Sequence, residues 1–233
     1  VGLCSARKLI AAAENPARWK GHLDQLLPRP SRVRAVSHQP AMPWREVPVF
    51  YQRLVRDRDV SALALRYTIV NALRTGEARF ATIDEIAREQ QLHVIAANRT
   101  KTRTELRVPL AGEALAILDL VEARRASPFL FGGLRLGKPI SDMAMLEKLR
   151  GLAPGLSVHG FRSSFRDWCA ETGVPRELAE ACLGHAVTSK AEASYLRSDV
   201  LDQRRAVLAR WAAFLTAPAI EEPAARSRRE AAG

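Results

Sequence analysis

The segment SVHGFRSSFRDW, Ser157 to Trp168, sets an imidazole and a guanidinium, His159 and Arg162, three residues apart. On a helix that spacing puts both on one face. Other segments supply groups of matching chemistry: Arg74 in LRTGEAR, Lys101 in ANRTKTRT, His185 in CLGHA and Tyr195 in EASYLRSD. These are the parts that cleavage of a phosphodiester needs when no metal takes part. Forked arginines neutralise the non-bridging oxygens, because guanidinium matches phosphate geometry. A nucleophile attacks phosphorus, and a proton donor reaches the departing 5′ oxygen. A positioned acid contributes about 10²–10⁴-fold, and each charge-stabilising donor roughly 3 kcal/mol of barrier. Tyrosine needs such company, since a free pKa of about 10 leaves roughly a thousandth as phenolate at neutral pH. Ser194, beside Tyr195, is a rival nucleophile on chemistry alone.

Each group also has an ordinary structural use, and taken singly each residue favours that use over chemistry. Arg74 and Glu77 fit an exposed helical pair worth roughly 0.2–0.5 kcal/mol. Lys101 fits a solvated turn, and His185 a helix C-terminus favoured by the dipole. Tyr195 fits a half-buried core tyrosine. His159 and Arg162 fit a brace for their own helix, and Arg166 a surface or structural arginine. Only the set as a whole favours chemistry.

Several other motifs lead elsewhere. GGLRLGKP, from Gly132, has the spacing of a phosphate loop, but Pro139 stands where a magnesium-binding hydroxyl belongs and no long helix follows directly. It reads as a turn. His22, His38 and His93 lack metal-ligand spacing, and His159 and His185 lack an adjacent carboxylate pattern, so neither metal nor cofactor is expected. Cys4, Cys169 and Cys182 are odd in number without CxxC spacing, which favours reduced thiols in a cytoplasmic protein.

The elements that must hold these groups follow from periodicity. Phe161, Phe165 and Trp168 form an apolar stripe on the helix of His159 and Arg162. SALALRYTIVNALRTGEAR reads as one helix burying Leu63, Ile69, Val70 and Leu73. LHVIA and ELRVPL read as strands, with ANRTKTRT as the hairpin tip between them. Further helices are expected over WREVPVFYQRLVRD, GEALAILDLVEARR, SDMAMLEKLRG, PRELAEACLG, SKAEASYLRS and VLDQRRAVLARWAAFL. The fold class is mainly α with a small antiparallel β-sheet, an α+β architecture. RPSRVRAVSHQPAMP is broken by prolines and reads as a linker, and the stretch from Ala217 lacks an apolar face.

Charge points to the partner. Lys and Arg number 36 against 25 Asp and Glu, a formal +11, and the pI is about 10.4. Residues 1–45 hold eight basic side chains against two acidic ones, whereas residues 159–216 hold eight against seven. The excess suits a polyanion such as nucleic acid. No stretch approaches the roughly 20 uninterrupted apolar residues of a membrane span.

ALRTGEAR, RTKTRTELRVPL, VHGFRSSFRDW, LGHAV and AEASYLRSDVLDQRRAVLARWAAFL, in that order, resemble the tyrosine recombinases, specifically phage-type integrases of mobile genomic islands. The resemblance runs from about Glu14 to Leu215. It implies the DNA breaking-rejoining catalytic fold, acting through a 3′-phosphotyrosyl intermediate without metal or ATP. Carried over by motif, Tyr195 is the nucleophile, Arg74 and Arg162 grip the scissile phosphate, and Lys101 protonates the leaving 5′ oxygen. His159 exchanges a proton with the tyrosine, His185 hydrogen-bonds the phosphate, and Glu77 supports Arg74. Ile83 stands where the family commonly has tryptophan, and Ala87 where it commonly has an acid.

The implied organisation is a remnant of the helical core-binding domain over 1–28, a basic linker over 29–44, the catalytic domain over 45–216 and a disordered tail over 217–233. The expected partners are double-stranded DNA attachment sites and further protomers, a tetramer on paired sites, with accessory DNA-bending or directionality proteins. The helix around Arg210 to Phe214 is a candidate for packing between protomers. Type IB topoisomerases share the phosphotyrosine logic, but the integrase-like linker and the segment after Tyr195 argue against them. The alternative of another class is a catalytically idle DNA-binding remnant, which a truncated N-terminal part favours.

Overall fold

A helix that is buried on every side organises the fold. The computed structural model describes residues 23–26, 40–123, 127–185 and 200–218. The chain divides into two units, Val1–His38 and Gln39–Gly233. In the first, Asp24–Leu26 form one helical turn. The helix expected over SKAEASYLRS with Tyr195, most of the 1–28 and 29–44 segments, Cys4 and the tail from residue 219 lie outside the described residues.

In the second unit, α1 (Val47–Val55) begins with Pro48 in its first turn, where a missing N–H costs nothing. The central helix α2 (Val60–Val70) is capped by Asp59, whose carboxylate accepts the Ala62 N–H at 2.8 Å. Every residue from Ala62 to Val70 is buried, the signature of a helix surrounded by protein. Leu63, Ile69, Val70 and Leu73 are all in the core, as their spacing predicts.

The long helix expected through Arg79 is instead interrupted. Ala72 adopts φ 49°, and the Leu73 and Ala72 N–H groups donate to the Thr68 and Ile69 carbonyls. That is a Schellman ending, with alanine where glycine is usual. The chain restarts as the short α3 (Thr75–Arg79).

The sheet has three antiparallel strands in the order β1 (Ile86–Ala87), β2 (Leu92–Ile95), β3 (Leu106–Pro109). The β2–β3 hairpin follows the expectation, with Leu92 opposite Pro109 and Ile95 opposite Leu106. The two-residue β1 is too short to leave a periodic signal. After α4 (Gly112–Glu122), the GGLRLGKP stretch is a tight loop, Gly132 bridging Pro139 and the Gly133 N–H donating to the Lys138 carbonyl at 2.8 Å. Then come α5 (Ala144–Leu152), α6 (Gly160–Glu171), α7 (Arg176–Cys182) and α8 (Leu201–Thr216).

The aromatic stripe of α6 is buried as predicted. Phe161 stacks on Phe50 of α1, while Phe165 and Trp168 pack against Trp211 of α8. Trp211 also donates its indole N–H to the Ile69 carbonyl at 3.0 Å, pinning α8 to the central helix. Val207, Leu208, Trp211, Ala212 and Leu215 are all buried, so α8 spends its apolar side on the chain's own core. Cys169 and Cys182 are free and buried, and burial pushes their thiols up to about 12 and about 11. Among the described residues no helix is long and apolar enough to cross a membrane.

Candidate active site

Arg74 stands at the N-cap of α3, immediately after the Schellman turn. An arginine cannot accept a hydrogen bond as a capping serine does, so Glu77 supplies the missing partner from within the helix. Its carboxylate accepts the Arg74 backbone N–H at 2.8 Å and the Arg74 Nη1 at 2.7 Å. The Glu77 side chain is only 2 % exposed, and Arg74 is 17 % exposed. A carboxylate that deep is not one half of a solvated surface pair. It holds a guanidinium in one orientation while leaving part of it open.

Arg162 is held differently. It is a buried arginine, 5 % exposed, and among the described residues no carboxylate pairs with it. Nη1 donates to the Ala72 carbonyl, the residue forced into the left-handed conformation, and Nη2 donates to the Leu183 carbonyl at 2.7 Å. Two backbone carbonyls from the ends of α2 and α7 thus orient the fork. Burial, and then the charge of Arg74, lower its pKa to about 10, with Glu77 and Glu180 opposing. It remains a cation at neutral pH, in a place where a cation is incompletely compensated.

His185 completes that arrangement. Its Nε2 lies 3.1 Å from Arg162 Nη2, and its Nδ1 meets a Glu180 carboxylate oxygen. A guanidinium only donates and a carboxylate only accepts, so the ring carries its proton on Nδ1 and accepts on Nε2. The other Glu180 oxygen is 3.1 Å from Arg166 Nε, which gives Arg166 a supporting place at the rim.

Glycines set both histidines. Gly184, before His185, has φ +61°, and a Cβ there would lie 2.8 Å from Leu106 Cδ2 on the hairpin. Gly160, after His159, is crossed by Pro40–Ala41 so closely that a Cβ would strike the Pro40 carbonyl and sit 2.9 Å from Ala41 Cα.

His159 occupies the N-cap position of α6 rather than its interior, yet still in helical conformation, so its spacing to Arg162 is kept. His159 is exposed to solvent, and its pKa is lowered first by the partial desolvation of the ring and then by Arg162, Arg74, His185 and Lys101, in that order. Four cationic or basic groups from four separate segments thus act on one imidazole. Lys101 reaches the group from the exposed tip of the β2–β3 hairpin. The structure therefore gathers Arg74, Glu77, Lys101, His159, Arg162 and His185. Tyr195 lies outside the described residues.

Sequence reasoning missed Glu180, five residues before His185 and so neither three nor four apart on a helix. It also missed Arg99 at the hairpin base and the Ala72 turn. The first two become visible only when α7 and the hairpin are closed against their neighbours.

A sequence profile described as the phage integrase family matches residues 51–201. Among curated proteins, a prophage integrase of Escherichia coli K12, IntZ, is 31 % identical over 185 residues, covering 76 % of this chain and 45 % of the relative. A second from that strain, IntA, is 32 % identical over 154 residues, or 64 % and 37 % of the two chains. The integrase of Enterobacteria phage P4 is 29 % identical over 200 residues, 76 % and 46 %. The chain spans less than half the length of these relatives.

Proposed function

The chain belongs to the phage integrase family, and from that membership we propose that it is the catalytic part of a site-specific integrase that cuts and rejoins double-stranded DNA. In this reading the Tyr195 phenol oxygen attacks a phosphorus and the P–O5′ bond breaks, leaving a 3′-phosphotyrosyl link. The phenol proton passes to His159 and the Lys101 ammonium gives a proton to the 5′ oxygen. One phosphodiester replaces another, so protons balance, no energy source is consumed and the step can run backwards to religate.

The observation that carries this reading is the convergence on His159. Beside it the Arg162 fork is aimed by the Ala72 and Leu183 carbonyls, and partial desolvation followed by the charges of Arg162, Arg74, His185 and Lys101 lowers the His159 pKa. A neutral ring can accept a proton, and the cations suit a phosphate whose charge concentrates in the transition state. Arg74 and Arg162 neutralise the non-bridging oxygens, Glu77 fixes Arg74, and His185, whose motif implies a contact to the phosphate, acts in this geometry through Arg162, from which its Nε2 accepts at 3.1 Å. Residues 45–216 form the catalytic domain in this reading, and 1–28 and 29–44 the end of a DNA-clamping domain and its basic linker. Protomers assemble on paired attachment sites as a tetramer in the cytoplasm.

The test is covalent capture. The full chain is mixed with a pool of nicked duplexes of randomised sequence, and DNA that stays bound through detergent is recovered. The expected result is an adduct on Tyr195, identified by mass spectrometry and absent from Tyr195→Phe. An adduct that persists in Tyr195→Phe would move the nucleophile elsewhere, Ser194 first. Salt-sensitive binding without any adduct would make the chain the idle DNA-binding remnant.

A further inference from the structure

We propose that Arg99 is a positioning residue for the proton donor, locking the Lys101 hairpin to the turn that carries Arg74. This rests on the reading of Lys101 as the acid that protonates the 5′ oxygen. A donor on an exposed hairpin tip faces a specific difficulty. Proton transfer needs heavy atoms within about 3.2 Å, and a misplacement of about 1 Å can cost roughly 10²-fold. Something must fix the hairpin's direction.

The tip itself is knotted. The Thr100 hydroxyl contacts the Ala97 and Thr104 carbonyl oxygens, at 3.1 and 2.7 Å, and the Arg103 N–H donates back to the Thr100 carbonyl. Residues 97–104 therefore move as a piece, and Lys101 goes where that piece points. Arg99 is the side chain that ties it to the rest of the site. One arm of its guanidinium, Nη1, is paired with a Glu85 carboxylate oxygen. The other arm, Nη2, donates to the Glu77 carbonyl at 3.0 Å and lies 3.4 Å from that of Gly76. The Gly76 carbonyl also takes the Phe80 N–H at 3.2 Å, while the Glu77 carbonyl lies in the last turns of the short α3, where the helix dipole favours a cation.

Glu77 is thus shared. Its carboxylate holds Arg74 and its backbone carbonyl holds Arg99, so the phosphate-gripping arginine and the proton-donating hairpin are indexed to one residue.

The anchor for the first arm is itself fixed. The second Glu85 oxygen accepts the Thr82 N–H at 3.2 Å and faces His93 Nε2 at 3.3 Å. His93 is fully buried, and its Nδ1 lies 3.3 Å from the Tyr67 hydroxyl on α2. One ring proton, on Nε2, satisfies both contacts: tyrosine donates to Nδ1 and Nε2–H donates to the carboxylate. Burial alone would raise the Glu85 carboxyl, but hydrogen bonds from His93 and Arg99 outweigh it and hold it below the usual range. An ionised, three-way-bound carboxylate is a stiff post for a guanidinium. A polar line therefore runs from the central helix through His93, Glu85 and Arg99 to the Lys101 tip.

A sulfur leaving group separates positioning of the acid from general damage. On the nicked duplex that traps the full chain best, single-turnover cleavage is measured with the normal bridging 5′ oxygen and with a bridging 5′ sulfur. A thiolate leaves without protonation, because its conjugate acid has a pKa of about 8.5 rather than that of an alcohol. Lys101→Ala should lose about 10²–10⁴-fold on oxygen and recover to within about threefold of wild type on sulfur. Arg99→Ala should lose at least about tenfold on oxygen and recover likewise, since only the donor is misplaced.

Arg99→Lys keeps the charge but spans only one of the two anchors, so it falls between wild type and Arg99→Ala on oxygen. It also supplies the test should the alanine variant not fold. If Lys101→Ala recovers on sulfur while both Arg99 variants lose equally on the two substrates, Arg99 only supports the fold and the proposal is overturned. If Lys101→Ala does not recover, Lys101 is not the acid, and the role given to Arg99 fails with it.

Discussion

The candidate site has two sides, built by opposite means. On the α6 side, Arg162 projects from a helix whose other face is pressed into aromatic rings, with Phe165 5.5 Å from Trp211 and Trp168 5.2 Å from it, centroid to centroid. On the hairpin side, Lys101 stands on an exposed tip joined to the body by hydrogen bonds and an ion pair through Arg99. Apolar packing gives no direction beyond shape, but it is dense and does not yield. A polar fork gives direction without density. In the proposed reading, the group that grips an anion needs the first, since the helix carrying it must not yield when the anion binds, while the Ala72 and Leu183 carbonyls aim its fork. The group that hands over a proton in that reading needs the second, since its direction must be set at an exposed tip.

The comparison breaks first at Phe165. The ring is fully buried between Trp168 and Trp211. Phe165→Ala should lower unfolding stability by about 3–5 kcal/mol, read from the denaturant midpoint. A loss below about 1 kcal/mol would mean that α6 is not anchored by its rings, and the contrast between the two sides would go.

Arg162→Lys comes next. An ammonium cannot serve the Ala72 and Leu183 carbonyls and still present a flat fork to phosphate. Single-turnover cleavage should fall about 10²–10³-fold, with a smaller loss of stability than Phe165→Ala causes. A near-normal rate would show that charge alone suffices on the packed side.

How much of this could be read beforehand follows the same division. The stripe Phe161, Phe165, Trp168 was legible because apolar side chains at helical spacing admit few other uses. The hairpin was legible because Leu92–Ile95 and Leu106–Pro109 flank a polar, turn-forming run. The break at Ala72 was not, since alanine is the best helix former and nothing in its neighbours marks a left-handed residue. The partners that aim the polar groups were illegible too. Glu85 and Arg99 are 14 residues apart and meet only through the sheet, and Glu180 reaches His185 around the Gly184 turn. Periodicity reports what a segment buries. It does not report which carboxylate a guanidinium will find across a fold.

The smallest effect discriminates most finely between the two sides. In the free protein His159 titrates below the usual value of about 6.5, from partial desolvation and then from Arg162, Arg74, His185 and Lys101 in decreasing weight. The folded pKa lies below the unfolded one, so near pH 6 the folded chain binds fewer protons. The His159 contribution to stability is therefore complete above about pH 6.5 and is lost as pH falls through the folded value. Ring-proton NMR across pH should place the midpoint below that of a free histidine, and inorganic phosphate, an anion among these cations, should move it upward. Arg74→Ala should raise the midpoint visibly, and Lys101→Ala should raise it least. The packed side and its neighbour are fixed near the imidazole, while the hairpin amine faces solvent, where its field is screened. If Lys101→Ala moved the midpoint as far as Arg74→Ala, the hairpin tip would be held as closely over His159 as the gripping arginines are. The distinction between a packed grip and an aimed, solvent-facing donor would then have to be abandoned.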